Sequence, residues 1–292
     1  MAMEHVIDAR DGRQLAVSEG GAADGVPVLV HYGTPNSRLQ YGPDVDSATD
    51  HGVRMITYDR PGYGGSTAQP GRTVGDCAAD VRAICMALGI DRLLMWGISG
   101  GGPHVLACAA LLQDLVPAAA SLASPAPWGA DGLDYFAGMG EMNADDTRLY
   151  FQDKEAARLK LERDRTDLLR ATGEQVGGII KTLVSDADAA VFTPQLAQYL
   201  ADSAAAGLGP GGEGWWDDGV AHLEPWGFAF SDIHLPVLLL HGQQDRFVPF
   251  GHGVWLAEHI PGVEARLTED DGHLTLTARH LGAVYDWLLK HW

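Results

Sequence analysis

The chain has 292 residues, 46% of them hydrophobic, and carries 20 basic against 39 acidic side chains for a formal net charge of −19. That length buries a large core without a metal or disulfide staple, and the charge repels phosphate backbones and anionic lipid, which speaks against nucleic-acid and membrane partners. The three cysteines, Cys77, Cys85 and Cys108, form no CxxC pair, a usage that fits structural thiols in a reducing compartment.

The opening MAMEHVIDARDG places charges where a signal peptide needs a continuous apolar run, and no stretch reaches about 18 apolar residues; a cytoplasmic protein is expected. EHVIDAR, a turn at Asp11-Gly12 and RQLAVSE read as a β-hairpin. VPVLVHYG, bounded by Pro27 and Gly33, is a nearly continuous apolar run of strand length, the pattern of a strand covered on both faces of a parallel sheet. VRMITYDRPG and DRLLMWGIS repeat it. Between those two lies a helix, with Thr73 and Asp76 as an N-terminal capping pair and Gly89 as its stop.

AAASLASPAP supplies another strand, and LPVLLLHG and VEARLTED two more, with GVWLAEHI between them and LGAVYDWLLKHW as a closing amphipathic helix. This alternation predicts an α/β fold, a mostly parallel eight-stranded sheet with helices on both faces. Residues 128–232 have a different texture and are read as a helical cap inserted into a core of residues 1–127 and 233–292. One helical stretch there opens at Asn143 and is supported by an Arg158–Glu162 pair. Another begins at Thr193 with Pro194 in its first turn, and GLGPGGEG follows as a loop.

In open parallel sheets ligands bind beyond the carboxyl ends of the strands, and those ends carry the reactive residue types. Ser99 lies in Gly97-Ile98-Ser99-Gly100-Gly101, between an apolar strand and a helix. A GxSxG match alone says little in a chain with 37 glycines, since about 0.2 are expected by chance at this composition. The strand-to-helix context is what would project the hydroxyl outward. Asp245 follows LPVLLLHG and can hydrogen-bond an imidazole, with Asp131 as the fallback acid; His273 follows the last strand on a glycine-containing loop. After VPVLV, the N–H of Thr34 can join that of Gly100 in holding an oxyanion, whereas Pro35 has none to offer.

Together these segments make the chain resemble the α/β-hydrolase superfamily over nearly its whole length. GISGG is similar to the nucleophile elbow, HGQQDRFVP to the acid loop, DGH to the base loop, and YDRPGYGGS to the loop after the neighbouring strand in capped members. The order Ser99, Asp245, His273 is the family's nucleophile–acid–base order. One departure is Tyr32 before the oxyanion-loop glycine, where such hydrolases often carry histidine; His31 stands one residue earlier.

The resemblance implies a serine hydrolase that cleaves a carboxylic ester of a small or medium-sized molecule through an acyl-enzyme, with Ser99, Asp245 and His273 as triad and no metal or organic cofactor. The alternatives are cofactor-free perhydrolase or haloperoxidase chemistry, carbon–carbon bond hydrolysis, a non-catalytic ligand-binding relative, and an aminopeptidase similar to proline iminopeptidases. For the last, residues 182–245 hold nine acids, among them Asp217, Asp218 and Glu224, and no lysine or arginine. Gly33, Tyr63, His104, Trp128 and Trp226 are the pocket candidates, while Trp215, Trp216 and Phe228 are read as glue between cap and core. The partner is a small-molecule substrate; the oligomeric state is left open, monomer or homodimer.

Overall fold

A computed structural model describes residues 3–292; the first two residues of the stretch read against a signal peptide lie outside it. The strands β1 (Met3–Asp8) and β2 (Gln14–Gly21) form the antiparallel hairpin, with Met3 opposite Glu19 and Asp8 opposite Gln14. Its turn is wider than Asp11-Gly12: the Ala9 N–H donates to the Arg13 carbonyl at 2.7 Å, and Gly12 takes φ +86° inside that loop.

The chain continues through β3 (Val26–His31), α1 (Gly42–Asp50), β4 (Val53–Tyr58), α2 (Cys77–Leu88), β5 (Leu94–Ile98), α3 (Gly102–Leu111) and β6 (Ala119–Leu122). A helical segment follows, with α4 (Glu141–Gln152), α5 (Lys154–Arg170), α6 (Gly173–Leu183), α7 (Asp186–Val191), α8 (Pro194–Leu208) and α9 (Glu213–Leu223). The sheet then resumes with β7 (Val237–Gly242), α10 (Phe250–His259), β8 (Glu264–Thr268) and α11 (Thr275–Leu289). The described strands form one eight-stranded sheet in the order β1-β2-β4-β3-β5-β6-β7-β8. β2 runs antiparallel to β1 and β4, and the other pairs are parallel.

Period-two alternation sorts the strand residues onto two cores. Leu29, Met95 and Leu239 pack with α2 and α3, while Val28, Trp96, Leu238 and Leu240 pack with Ala48 of α1 and Tyr285 of α11. Each such fully buried aliphatic side chain contributes about 1.5–3 kcal/mol. β8 is the exception among the apolar-looking strands. It forms a sheet edge and stays mostly exposed, and its Arg266–Glu264 pair at 2.6 Å places charge along that edge, a common guard against further strand pairing.

The expected ends form at α2 and α8. The Thr73 N–H donates to Asp76 Oδ2 at 2.7 Å, Gly89 ends α2 at φ +66°, and the Thr193 hydroxyl accepts from the Leu196 N–H at 3.1 Å with Pro194 opening α8. The stretch expected to start at Asn143 instead starts at Glu141 and is two helices. Asp153 breaks it because its carboxylate accepts the Ala156 N–H at 3.0 Å and so caps α5, the competition with the helix backbone that aspartate is known for. The Arg158–Glu162 pair does not form. Glu162 pairs with Arg165 at 3.0 Å, and Arg158 lies over the Trp216 ring at 5.4 Å. The three cysteines are buried and free, with Cys77 Sγ 3.7 Å from Cys108 Sγ. Among the described residues no helix is long and apolar enough to cross a membrane.

Candidate active site

Ser99 follows β5 directly and has φ +57°, the left-handed region that non-glycine residues avoid. The turn into α3 is tight enough that a Cβ at Gly97 would lie 2.7 Å from the Gly101 carbonyl oxygen, and one at Gly101 would run into the His31 carbonyl. That crowding is the physical reason for the glycines on both sides of the serine.

His273 sits between β8 and α11. Its Nδ1 is 2.7 Å from Asp245 Oδ2, on the loop after β7. The other oxygen of Asp245 accepts the N–H groups of Phe247 at 2.8 Å and Val248 at 2.9 Å, so the carboxylate is fixed in place and buried. Burial pulls the His273 imidazole towards a lower pKa, but the charge and hydrogen bond of Asp245, with the charge of Asp188, outweigh it and leave the pKa above its ordinary value. Ser99 and His273 line one cavity, yet no hydrogen bond joins them in this structure among the described residues. Asp131 is exposed and remote, its carbonyl accepting from Trp255 Nε1 at 2.9 Å.

Thr34, at the end of β3, and Gly100 face each other closely enough that a Cβ on Gly100 would strike Thr34 Oγ1. Behind them lies a buried charged network that sequence reasoning missed. Asp218 of α9 accepts from Arg60 Nε at 2.9 Å, Arg60 Nη2 at 2.6 Å, the Tyr63 hydroxyl at 2.9 Å and Thr34 Oγ1 at 3.1 Å, and Arg72 Nη2 lies 2.7 Å from its other oxygen. Arg60 Nη1 also donates to the Tyr32 carbonyl at 2.6 Å. Burial opposes charge on Asp218, but Arg60 and Arg72 prevail and hold its pKa well below the usual carboxylate range.

Two histidines brace the serine turn from behind. His104 Nδ1 and His222 Nε2 donate to the Gly100 carbonyl at 2.9 and 3.0 Å, and burial holds both imidazoles below their ordinary pKa, His222 at about 4. The His273 loop has its own clamp: the Asp188 carboxylate of α7 accepts the N–H groups of His273, Leu274 and Thr275 at 2.8, 2.7 and 3.0 Å. Asp188, Asp218 and His222 all belong to the segment between β6 and β7. YDRPGYGGS pointed to the neighbourhood of Arg60, but nothing local pairs it with an acid 158 positions away.

The cavity holds about 530 Å³ and is walled mainly by apolar side chains such as Ile98, Leu196, Leu200, Phe247 and Leu281. Gly33 lines it; the other four pocket candidates lie outside its lining. Tyr63 and His104 are buried, Trp128 stacks on Phe151 at 4.5 Å, and Trp226 is packed in the core with its indole N–H on the His222 carbonyl at 3.2 Å.

Residues 26–277 match the family model described as alpha/beta hydrolase fold. The chain belongs to this family. Among similar proteins, a non-heme chloroperoxidase from Streptomyces lividans is 33% identical over 41% of this chain, a match that spans 44% of that relative's length. A bifunctional esterase/perhydrolase from Acinetobacter calcoaceticus is 23% identical, over 84% of this chain and 83% of its own. Among solved structures, a thermophilic esterase from Thermogutta terrifontis superposes with TM-score 0.71 at 22% identity, covering 99% of both chains. A bromoperoxidase from Bacillus anthracis does so with TM-score 0.70 at 20% identity, again over 99% of both. The alpha/beta hydrolase fold thus accounts for the sheet order and for the placement of the candidate residues beyond its strand ends.

Proposed function

We propose that this alpha/beta hydrolase is a serine hydrolase that cleaves a carboxylic ester of a small or medium-sized substrate. The observation that carries the proposal is Ser99, held at positive φ on the turn after β5, opening on the same cavity as an imidazole whose far nitrogen is bound by Asp245 at 2.7 Å. Ser99 Oγ attacks the ester carbonyl while His273 Nε2 takes its proton, and Asp245 stabilises the imidazolium. The Thr34 and Gly100 N–H groups receive the oxyanion. His273 then protonates the departing alkoxide, and a water deprotonated by the same imidazole releases the acid. Each well-placed oxyanion donor is worth about 3 kcal/mol. Residues 128–232 act as a lid over the site, which their helices help to wall.

A second reading, perhydrolysis, is favoured by the relatives named for chloroperoxidase and perhydrolase activity. It uses the same acyl-enzyme: hydrogen peroxide replaces water, and the acyl group leaves as a peroxyacid while Ser99 regains its proton. The peptidase alternative is weakened because Asp218, one of its candidate acids, is engaged by two arginines.

The test is a panel of short and long p-nitrophenyl esters and aminoacyl p-nitroanilides, with a fluorophosphonate probe. Ester turnover and a single probe adduct on Ser99 are expected. Preference for anilides would replace the reading with a peptidase, and ligand binding without turnover or adduct would replace it with a binding protein. Acetate with hydrogen peroxide, read as halide oxidation, scores the second reading.

The His273 environment sets the pH response. The free base is the active form, so kcat/KM is expected to rise with pH through an apparent pKa above about 6.5, the ordinary histidine value. Asp245→Asn should move that midpoint down and cut kcat by roughly 10⁴-fold. Stability runs the opposite way: a raised histidine pKa contributes fully below the unfolded value and is lost as pH rises through the folded one. A wild-type midpoint below about 6 would contradict the assignment of His273 as base.

A further inference from the structure

The same cavity is also lined by Asp44, in the first turn of α1. The side chain is 8% exposed, and its Oδ2 accepts from the Tyr32 hydroxyl at 3.1 Å. Its other oxygen has no hydrogen-bond partner, and no cationic side chain pairs with it, among the described residues. Most of the other buried carboxylates differ: Glu19, Asp59, Asp80, Asp218 and Asp271 meet arginines, Asp188 three N–H groups, and Asp245 an imidazole. Burial pushes its pKa up to about 7, so the protein alone supplies little to hold the charged form.

Aromatic side chains line the cavity with this carboxylate. Tyr32, Tyr41 of the loop before α1 and Tyr199 of α8 line it with Asp44, with ring centroids 4.9 Å apart for Tyr41–Tyr199 and 6.2 Å for Tyr32–Tyr199. Tyr285 of α11 completes the titratable groups near the carboxylate, and burial raises the pKa of Tyr32, Tyr199 and Tyr285, which keeps those phenols neutral. The cavity's guanidinium, Arg279, is turned to Asp271 at 3.1 Å. A carboxylate without a counter-charge among aromatic rings is the chemistry that receives an ammonium group, which supplies the missing charge and N–H donors while the rings can attract it through their quadrupoles.

We propose that Tyr32, Tyr41, Asp44 and Tyr199 form a subsite for a protonated amine carried by the substrate, so that the preferred esters are amino-bearing ones. Tyr32 reaches Asp44 while its neighbour Gly33 packs against Ser99, so the amine lies about one tyrosine side chain from the reacting carbonyl. The net charge of −19 would draw such a cation towards the site. The substrate class rests on the ester reading above, whereas the amine site does not depend on turnover.

Binding is therefore measured directly, by NMR titration of butylammonium and of 1-butanol into wild type, Ser99→Ala, Asp44→Asn and Tyr199→Leu at pH 8. Butylammonium is expected to bind wild type and Ser99→Ala alike, at least tenfold tighter than butanol, and to lose at least tenfold in Asp44→Asn and a smaller factor in Tyr199→Leu. Equal binding of amine and alcohol to wild type, or unchanged amine binding in Asp44→Asn, would overturn the subsite. Should Asp44→Asn fail to fold, Tyr199→Leu decides alone, and unchanged amine binding in it counts against the proposal. Failure of the ester panel leaves these binding results standing, so the two ideas fall separately.

Discussion

Ser99→Ala is expected to lower kcat for the best ester in the panel by roughly 10⁴- to 10⁶-fold, leaving only the rate enhancement due to binding and the oxyanion donors. The variant should fold and bind as wild type does, because the serine hydroxyl makes no hydrogen bond with His273 that its loss would break. A companion variant separates chemistry from strain. Ser99 occupies the left-handed region at φ +57°, which costs a non-glycine residue on the order of 1–2 kcal/mol. Ser99→Gly should therefore be as inactive as Ser99→Ala and more stable than it by about 1 kcal/mol, less the extra entropy of a glycine in the unfolded chain. Denaturant midpoints of the two variants provide the comparison. Ester turnover surviving in either variant would rule out Ser99 as nucleophile.

The second large effect is expected at Asp218. Removing the carboxylate in Asp218→Ala leaves Arg60 and Arg72, 3% and 6% exposed, buried without their counter-charge. Breaking a buried pair in this way costs about 3–5 kcal/mol. The loss should also show in acid: the folded pKa of Asp218 is depressed, so its stabilisation is present above the unfolded value of about 3.9 and disappears as pH falls through the folded one. The wild type should therefore lose stability in acid more steeply than the variant. Activity should suffer even where the variant is still folded, because Arg60 and Asp218 hold Thr34 Oγ1 and the Tyr32 carbonyl. A displaced donor loop would lower kcat by about 10²-fold with a smaller change in KM. An unfolding midpoint unchanged from wild type would mean that the network contributes no net stability.

The contrast between these two residues shows what the sequence could disclose. Ser99 and Asp245 each sit just past a strand whose apolar run is a local feature, and His273 follows a glycine after the exposed strand β8, so all three could be proposed as site residues from short windows. The inner strands β3 to β7 and their parallel pairing were equally readable, because burial on both faces leaves a continuous apolar signature. Asp218 and Asp188 carry no such mark. Their partners lie 158 and 85 positions away, and in a segment rich in acids nothing local says which carboxylate turns inward. The Arg158–Glu162 expectation failed for a related reason: i,i+4 spacing permits a pair worth only a few tenths of a kcal/mol, and the face of Trp216 offered the guanidinium a competing partner.

The placement of Asp188, Asp218 and His222 bears on protein engineering. Exchanging the segment between β6 and β7 for a foreign one would spare the chemistry only if the scaffold alone held the reacting groups in place and that segment served selectivity alone. In this chain that division does not hold, since the segment between β6 and β7 supplies the groups that fasten the histidine loop, the threonine loop and the serine turn. A chimera carrying a foreign segment there would inherit an unanchored site, and one that retains these three side chains at their positions is the design with a route to activity.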